Sequence, residues 1–122
     1  MIRVLVADSN LDSHELIHDI VQINFRNVKI ESVHNRESFV SKIASAKPQY
    51  NLILYSVHMD ENCEKPTLSE AIQKNPEICE RTILMAESDS VKVPEVFIHF
   101  PTVRKPYSLD YFGEVIKKTC AN

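Results

Sequence analysis

Short runs of β-branched and apolar residues recur along the chain, separated by stretches whose apolar residues fall at helical spacing. That alternation predicts a parallel sheet with crossover helices, and five strand-then-helix units fit. Ile2 to Ala7 is nearly continuous in apolar residues, as expected of a parallel strand buried on both faces. A helix is predicted from about Leu11 to Phe25, with Leu16, Ile17, Ile20 and Val21 as one apolar stripe and Ser9, Asn10 and Asp12 as cap candidates. Val28 to Val33 alternates with a period near two and predicts a strand nearer the sheet edge.

Asn35 is placed to cap the next helix, which puts Phe39, Val40, Ile43 and Ala44 on one face and stops before Pro48. Asn51 to Ser56 reads as a buried central strand, and a polar segment runs from Val57 to Pro66. Thr67-x-x-Glu70 predicts a capping box for a helix through about Lys74, and Thr82 to Ala86 a fourth strand. Between Glu87 and Arg104 the pattern is ambiguous, since Val96 to Phe100 fits either a strand or the remnant of a short helix. Ser108 opens the last helix, with Leu109, Phe112, Val115 and Ile116 at helical spacing and Lys117 and Lys118 complementing its dipole.

The length of 122 residues is one domain's worth of chain, so 1–122 is taken as a single unit. A chain of this size buries roughly two thirds of its unfolded surface and needs neither disulfides nor a structural metal. Fourteen basic against seventeen acidic residues give a net charge of −3, which offers no footprint for nucleic acid or an anionic membrane. Cys63, Cys79 and Cys120 lie far apart without a C-x-x-C pair, so free thiols in a reducing cytoplasm are expected. The single glycine, Gly113, excludes Gly-rich phosphate loops, which need several positions free of a side chain.

Ligands and chemistry gather beyond the carboxyl ends of strands in an open parallel sheet, which singles out Asp8, Ser56, Ala86 and Lys105. Asp8 and Ser56 lie 48 residues apart and Ser56 and Lys105 lie 49 apart, two crossover units each, so one carboxylate, one hydroxyl and one ammonium converge. The segments Val4-Leu5-Val6-Ala7-Asp8-Ser9-Asn10, Leu52-Ile53-Leu54-Tyr55-Ser56 and Lys105-Pro106-Tyr107-Ser108-Leu109 resemble the three signature stretches of the response-regulator receiver domain. The resemblance spans essentially the whole chain in length, element order and motif spacing. It implies an α/β, flavodoxin-like doubly wound fold, a five-stranded parallel sheet of order 2-1-3-4-5 wrapped by helices.

In that family an acidic pair after the first strand and an Asp ending the third hold Mg²⁺, and the latter accepts a phosphoryl group. Mg²⁺ demands hard oxygen ligands in near-octahedral geometry, and a carboxylate is the nucleophile whose acyl phosphate stays labile. Here the acidic pair is Asp8-Ser9, the acceptor position is Ser56, and the hydroxyl residue ending the fourth strand is Ala86. Only Asp8 and Lys105 keep the family's residue types, and the aromatic switch position on the fifth strand is Thr102. The expectation is a degenerate receiver that binds Mg²⁺ weakly or not at all, with Asp8 and Lys105 paired. A cis peptide before Pro106 is implied by the resemblance.

Rival motifs have plainer readings. His14-Glu15-Leu16-Ile17-His18 matches the H-E-x-x-H zinc hydrolase helix. Yet the apolar stripe centres near Ser13, Ile17 and Ile20, which leaves His14 and His18 on a flank roughly 100° to 140° away, suited at most to adventitious surface metal. His58, Asp60, Glu61, Cys63 and Glu64 cluster after the third strand at no established ligand spacing and read as a solvated loop; Cys63 as a nucleophile has only His58 as a nearby base. Tyr107, Tyr111 and Phe100 mark a candidate interaction face, with Phe112 assigned to the core.

The expected function is therefore a non-catalytic signalling module that works through contact with a regulatory protein, a homodimer being the other arrangement. The alternatives are an atypical receiver phosphorylated at Asp60 or Ser56, and a small metal-dependent hydrolase using His14, Glu15 and His18.

Overall fold

The computed structural model describes residues 2–9, 14–60, 67–86, 92–93, 97–105 and 108–120, apart from the side chain of His14. Strand β1 (Ile2–Ala7) leads to helix α1 (His14–Asn24), β2 (Val28–Val33) to α2 (Arg36–Ser45), and β3 (Leu52–Ser56) to a 3₁₀ turn (Val57–Asp60) and α3 (Thr67–Lys74). A second 3₁₀ segment (Pro76–Arg81) enters β4 (Thr82–Ala86), and β5 (Thr102–Arg104) leads to α4 (Leu109–Cys120). The strands run parallel, as the alternating pattern predicts, in the order β2-β1-β3-β4-β5 that the receiver resemblance implies.

Alternation along the central strands divides the core in two. Leu5, Ala7, Ile53, Tyr55 and Leu84 face α2 and α3, where Phe39, Ile43 and Leu68 meet them. Val4, Val6, Leu52, Leu54, Ile83, Met85 and Val103 face α1 and α4, packing on Ile17, Ile20, Val21, Phe112 and Ile116. β1, β3 and β4 therefore need apolar side chains on both faces, which explains their unbroken apolar runs. Asn35 caps α2 as expected, its Oδ1 accepting from the Ser38 amide at 2.8 Å.

Several sequence expectations are corrected. Leu16 is 45% exposed, because the buried stripe of α1 is Ile17, Ile20 and Val21 and Leu16 lies about 90° off its centre. Ala44 is exposed for the same kind of reason, lying about 120° from the Phe39–Ile43 axis. Leu109 is 58% exposed; it shares the face of Phe112 and Ile116 but stands at the first position of α4, ahead of the buried turns. Thr67 is the first residue of α3 and not its cap.

Phe97 to Phe100 forms a turn closed by the Phe100 amide on the Phe97 carbonyl at 3.0 Å, so this stretch follows the helical alternative and not the strand. Four of the five expected strand-then-helix units have their α-helix among the described residues; between β4 and β5, residues 87–91 and 94–96 lie outside them. Among the described residues the cis peptide is Lys47–Pro48. Pro106, the start of the first helix at Leu11 to Ser13, and Val96 lie outside the described residues.

Candidate functional site: the carboxyl rim of the sheet

The register Ala7↔Tyr55 places Asp8 beside Ser56, and Ser56 pairs with Met85, one residue before Ala86. The Lys105 amide donates to the Ala86 carbonyl at 3.0 Å, extending the β4–β5 ladder by one step. The four rim residues thus sit side by side along the carboxyl edge of β1, β3, β4 and β5, as their spacing predicts. Asp8, Ser56 and Ala86 are buried, Lys105 is half-buried and Ser9 is exposed.

Each rim group is already engaged. The Asp8 amide donates to the Val33 carbonyl at 3.1 Å, and His34 Nδ1 lies 3.3 Å from the Asp8 carbonyl. Ser56 Oγ accepts from the His58 amide at 3.2 Å, a local turn that uses one of its two lone pairs. Asp8 and Lys105 both have further interactions. Thr102, at the switch position, opens β5 half-buried and donates its hydroxyl to the Phe100 carbonyl at 3.3 Å.

A magnesium ion needs several hard oxygen anions at once. The rim supplies the Asp8 carboxylate, an exposed serine at position 9, a hydroxyl at Ser56 already accepting a hydrogen bond, and a methyl at Ala86. This donor set does not fit Mg²⁺.

The rival motifs separate in space. His18 is half-buried, and its Nε2 lies 3.0 Å from Ser32 Oγ, tying the ring to β2. His58 is exposed and Asp60 half-buried, with Asp60 Oδ1 accepting from the Thr67 amide at 2.8 Å. Glu61, Cys63, Glu64 and Tyr107 lie outside the described residues.

Sequence reading missed two features. One is a polar cluster around Asp60: Arg36 Nε donates to Thr67 Oγ1, and the buried Tyr55 hydroxyl has no hydrogen-bond partner among the described residues. Burial, then the Asp60 carboxylate, push the Tyr55 pKa up, outweighing the opposite pull of Thr67 and Arg36. The partners are about thirty residues apart in sequence, so no local spacing signals them. The other is a cavity of about 1030 Å³ beside β5, where His99, Phe100 and Pro101 face Tyr111, Val115 and Lys118 of α4. It joins Phe100 and Tyr111, two of the three residues proposed for an interaction face, and Tyr111 is 53% exposed.

No family model and no curated protein matches the sequence. Solved structures do. The signal receiver domain of an HD domain-containing protein from Pseudomonas fluorescens Pf-5 superimposes with a TM-score of 0.77 at 14% identity, over 98% of this chain and 94% of that one. A response regulator receiver domain protein from Clostridium thermocellum gives 0.78 at 12% identity, over 99% and 95%. A chain from the complex of histidine kinase ThkA with response regulator protein TrrA gives 0.74 at 21% identity, over 98% of each chain. The fold is that of the response-regulator receiver domain. No helix among the described residues is long and apolar enough to cross a membrane.

Proposed function

We propose that this chain is a receiver-type signalling module of a two-component or related regulatory system, without phosphoryl acceptance, that acts by binding a regulatory protein in the cytoplasm. The observation that carries the reading is the end of β3, where the acceptor position holds Ser56 with its oxygen engaged by the His58 amide. A serine needs a neighbouring base to become a nucleophile. With Ser9 and Ala86 on either side, the rim holds one carboxylate where phosphoryl transfer to an acyl phosphate calls for a magnesium cage. Asp8 and Lys105, on this reading, neutralise one another as a structural pair, and Pro106 shapes the loop that follows.

Output then depends on surface. The cavity beside β5, with Phe100 and Tyr111 on its walls, is the face assigned to a protein partner, and a second copy of the chain is the other occupant. The ThkA–TrrA complex supports a partner drawn from signalling proteins, since a chain of this fold occurs there with a histidine kinase.

Incubation with acetyl phosphate and Mg²⁺, followed by intact mass, tests the reading. The mass is expected to stay unchanged. An added phosphoryl group mapped to Ser56 or Asp60 would establish an atypical working receiver instead.

A further inference from the structure

The most exposed large apolar side chain among the described residues is Ile23, at 77%. Leu16 is exposed as well and lies seven positions earlier, which puts the two on one flank of α1, two turns apart. That flank faces away from β2, because His18, roughly 140° to 160° round the helix from them, is the residue that meets Ser32 of β2. On its other side α1 packs against α4, where Asn24 approaches Gly113. Leu109, also exposed, precedes Gly113 by one turn and so stands on the flank of α4 turned to α1. Leu16, Ile23 and Leu109 therefore edge one cleft between two helices.

Both helices follow the carboxyl end of a parallel strand, so both start at the carboxyl rim and run toward the opposite edge of the sheet. Exposed acids stand in their first halves, Glu15 and Asp19 on α1 and Asp110 on α4. Exposed bases stand at the far end, Arg26 just past α1 and Lys117 in the last turn of α4. A surface that is acidic at one end and basic at the other, with apolar side chains along it, is complementary to itself turned end over end. A uniformly acidic or basic partner would meet its own charge at one end.

We infer that the α1–α4 face is a self-association surface, which takes a second copy of this chain across a two-fold axis perpendicular to the helices. Leu16, Ile23 and Leu109 meet their counterparts, and the acidic half of each copy lies on the basic half of the other. The two helices present roughly 350 Å² in projection, small beside the ~800 Å² per partner of a standard interface, so the pair is weak and exchanging.

Sedimentation velocity of the full chain over a concentration series, at low and at high NaCl, reads the association. The sedimentation coefficient of the parent is expected to rise with concentration, and the dissociation constant to grow with salt as the charged halves are screened. Ile23→Asp is expected to weaken association about tenfold or more while unfolding within about 2 °C of the parent, since the side chain is exposed. Asp19→Lys and Lys117→Glu are each expected to weaken self-association, and an equimolar mixture of the two to associate more tightly than either alone.

A parent that is monomeric throughout overturns the proposal; if Ile23→Asp then also loses capture of another protein, the face belongs to that partner. Association that survives Ile23→Asp, or a mixture no tighter than its components, overturns it as well. Each of these results leaves the partner reading of the β5 cavity as it stands, because Tyr111 lies about 160° round α4 from Gly113.

Discussion

Asn24, the last residue of α1, closes over Gly113 of α4: a Cβ built at Gly113 would stand 3.0 Å from Asn24 Oδ1 and 3.2 Å from its Nδ2. Asn24 is not free to withdraw, because its Nδ2 donates to the Ile20 carbonyl at 2.7 Å. The single glycine of the chain therefore serves a close approach of two helices and not a turn.

Gly113→Ala is expected to gain nothing in the parent, since the roughly 1 kcal/mol of helix propensity is offset by the contact with Asn24. In an Asn24→Ala background the same change is expected to stabilise by about 1 kcal/mol. Urea unfolding of the four proteins gives the cycle, and identical effects in both backgrounds would show that Asn24 does not set the constraint.

Tyr55→Phe removes a buried hydroxyl that makes no hydrogen bond among the described residues. The expected change in unfolding free energy is between zero and about 1 kcal/mol in favour of the variant. A loss above about 1 kcal/mol by chemical denaturation would mean that the hydroxyl is satisfied.

Glu31 lies between Arg3 at 3.3 Å and Lys42 at 3.1 Å. Burial raises its pKa, but hydrogen bonds and charge from Lys42 and Arg3 together win and hold it below the usual carboxylate range. A carboxyl with a depressed folded pKa contributes stability that is present above the unfolded pKa and fades as pH falls through the folded one. The parent is therefore expected to lose its advantage over Glu31→Gln below about pH 4.5, with a neutral-pH difference under about 1 kcal/mol for so accessible a pair. Unfolding midpoints between pH 3 and pH 7, about the range of carboxyl titration, measure it; a constant gap would refute the linkage.

Phe112 and Tyr111 are neighbours in α4 with opposite surroundings, fully buried and 53% exposed. Phe112→Ala is expected to cost about 3–5 kcal/mol of stability. Tyr111→Ala is expected to stay within about 0.5 kcal/mol while weakening capture of the protein partner. Calorimetric unfolding and a binding assay on the same preparations separate the two, and partner binding unchanged by Tyr111→Ala would remove this face from the reading.

Restoring the carboxylates tests the rim. The triple variant Ser9→Asp, Ser56→Asp, Ala86→Thr is expected to bind Mg²⁺ by isothermal calorimetry where the parent gives no heat. Silence from both would mean that the backbone of the rim, and not its side chains alone, has moved away from a metal site.

Much of this was written locally. Unbroken apolar runs at Val4 to Ala7 and Leu52 to Tyr55 mark strands covered on both faces, because a solvated face would demand polar alternates. Strand ends at Asp8, Ser56 and Ala86 follow from where those runs stop, so the residues that line the carboxyl rim were legible in the sequence. Leu16, Ala44 and Leu109 were misjudged since periodicity gives the direction of a face but not how far the sheet reaches beneath it.

The sequence by itself determined the five strands, their parallel crossover pattern and which residues end them, because apolar burial repeats at short, regular intervals. Only the tertiary structure decided that Asp60 accepts from the Thr67 amide, that Arg36 donates to the Thr67 hydroxyl, and that Asn24 rests on Gly113. The Arg36–Thr67 and Asn24–Gly113 contacts join elements far apart along the chain, and all of them depend on distances of a few tenths of an ångström that no residue spacing encodes.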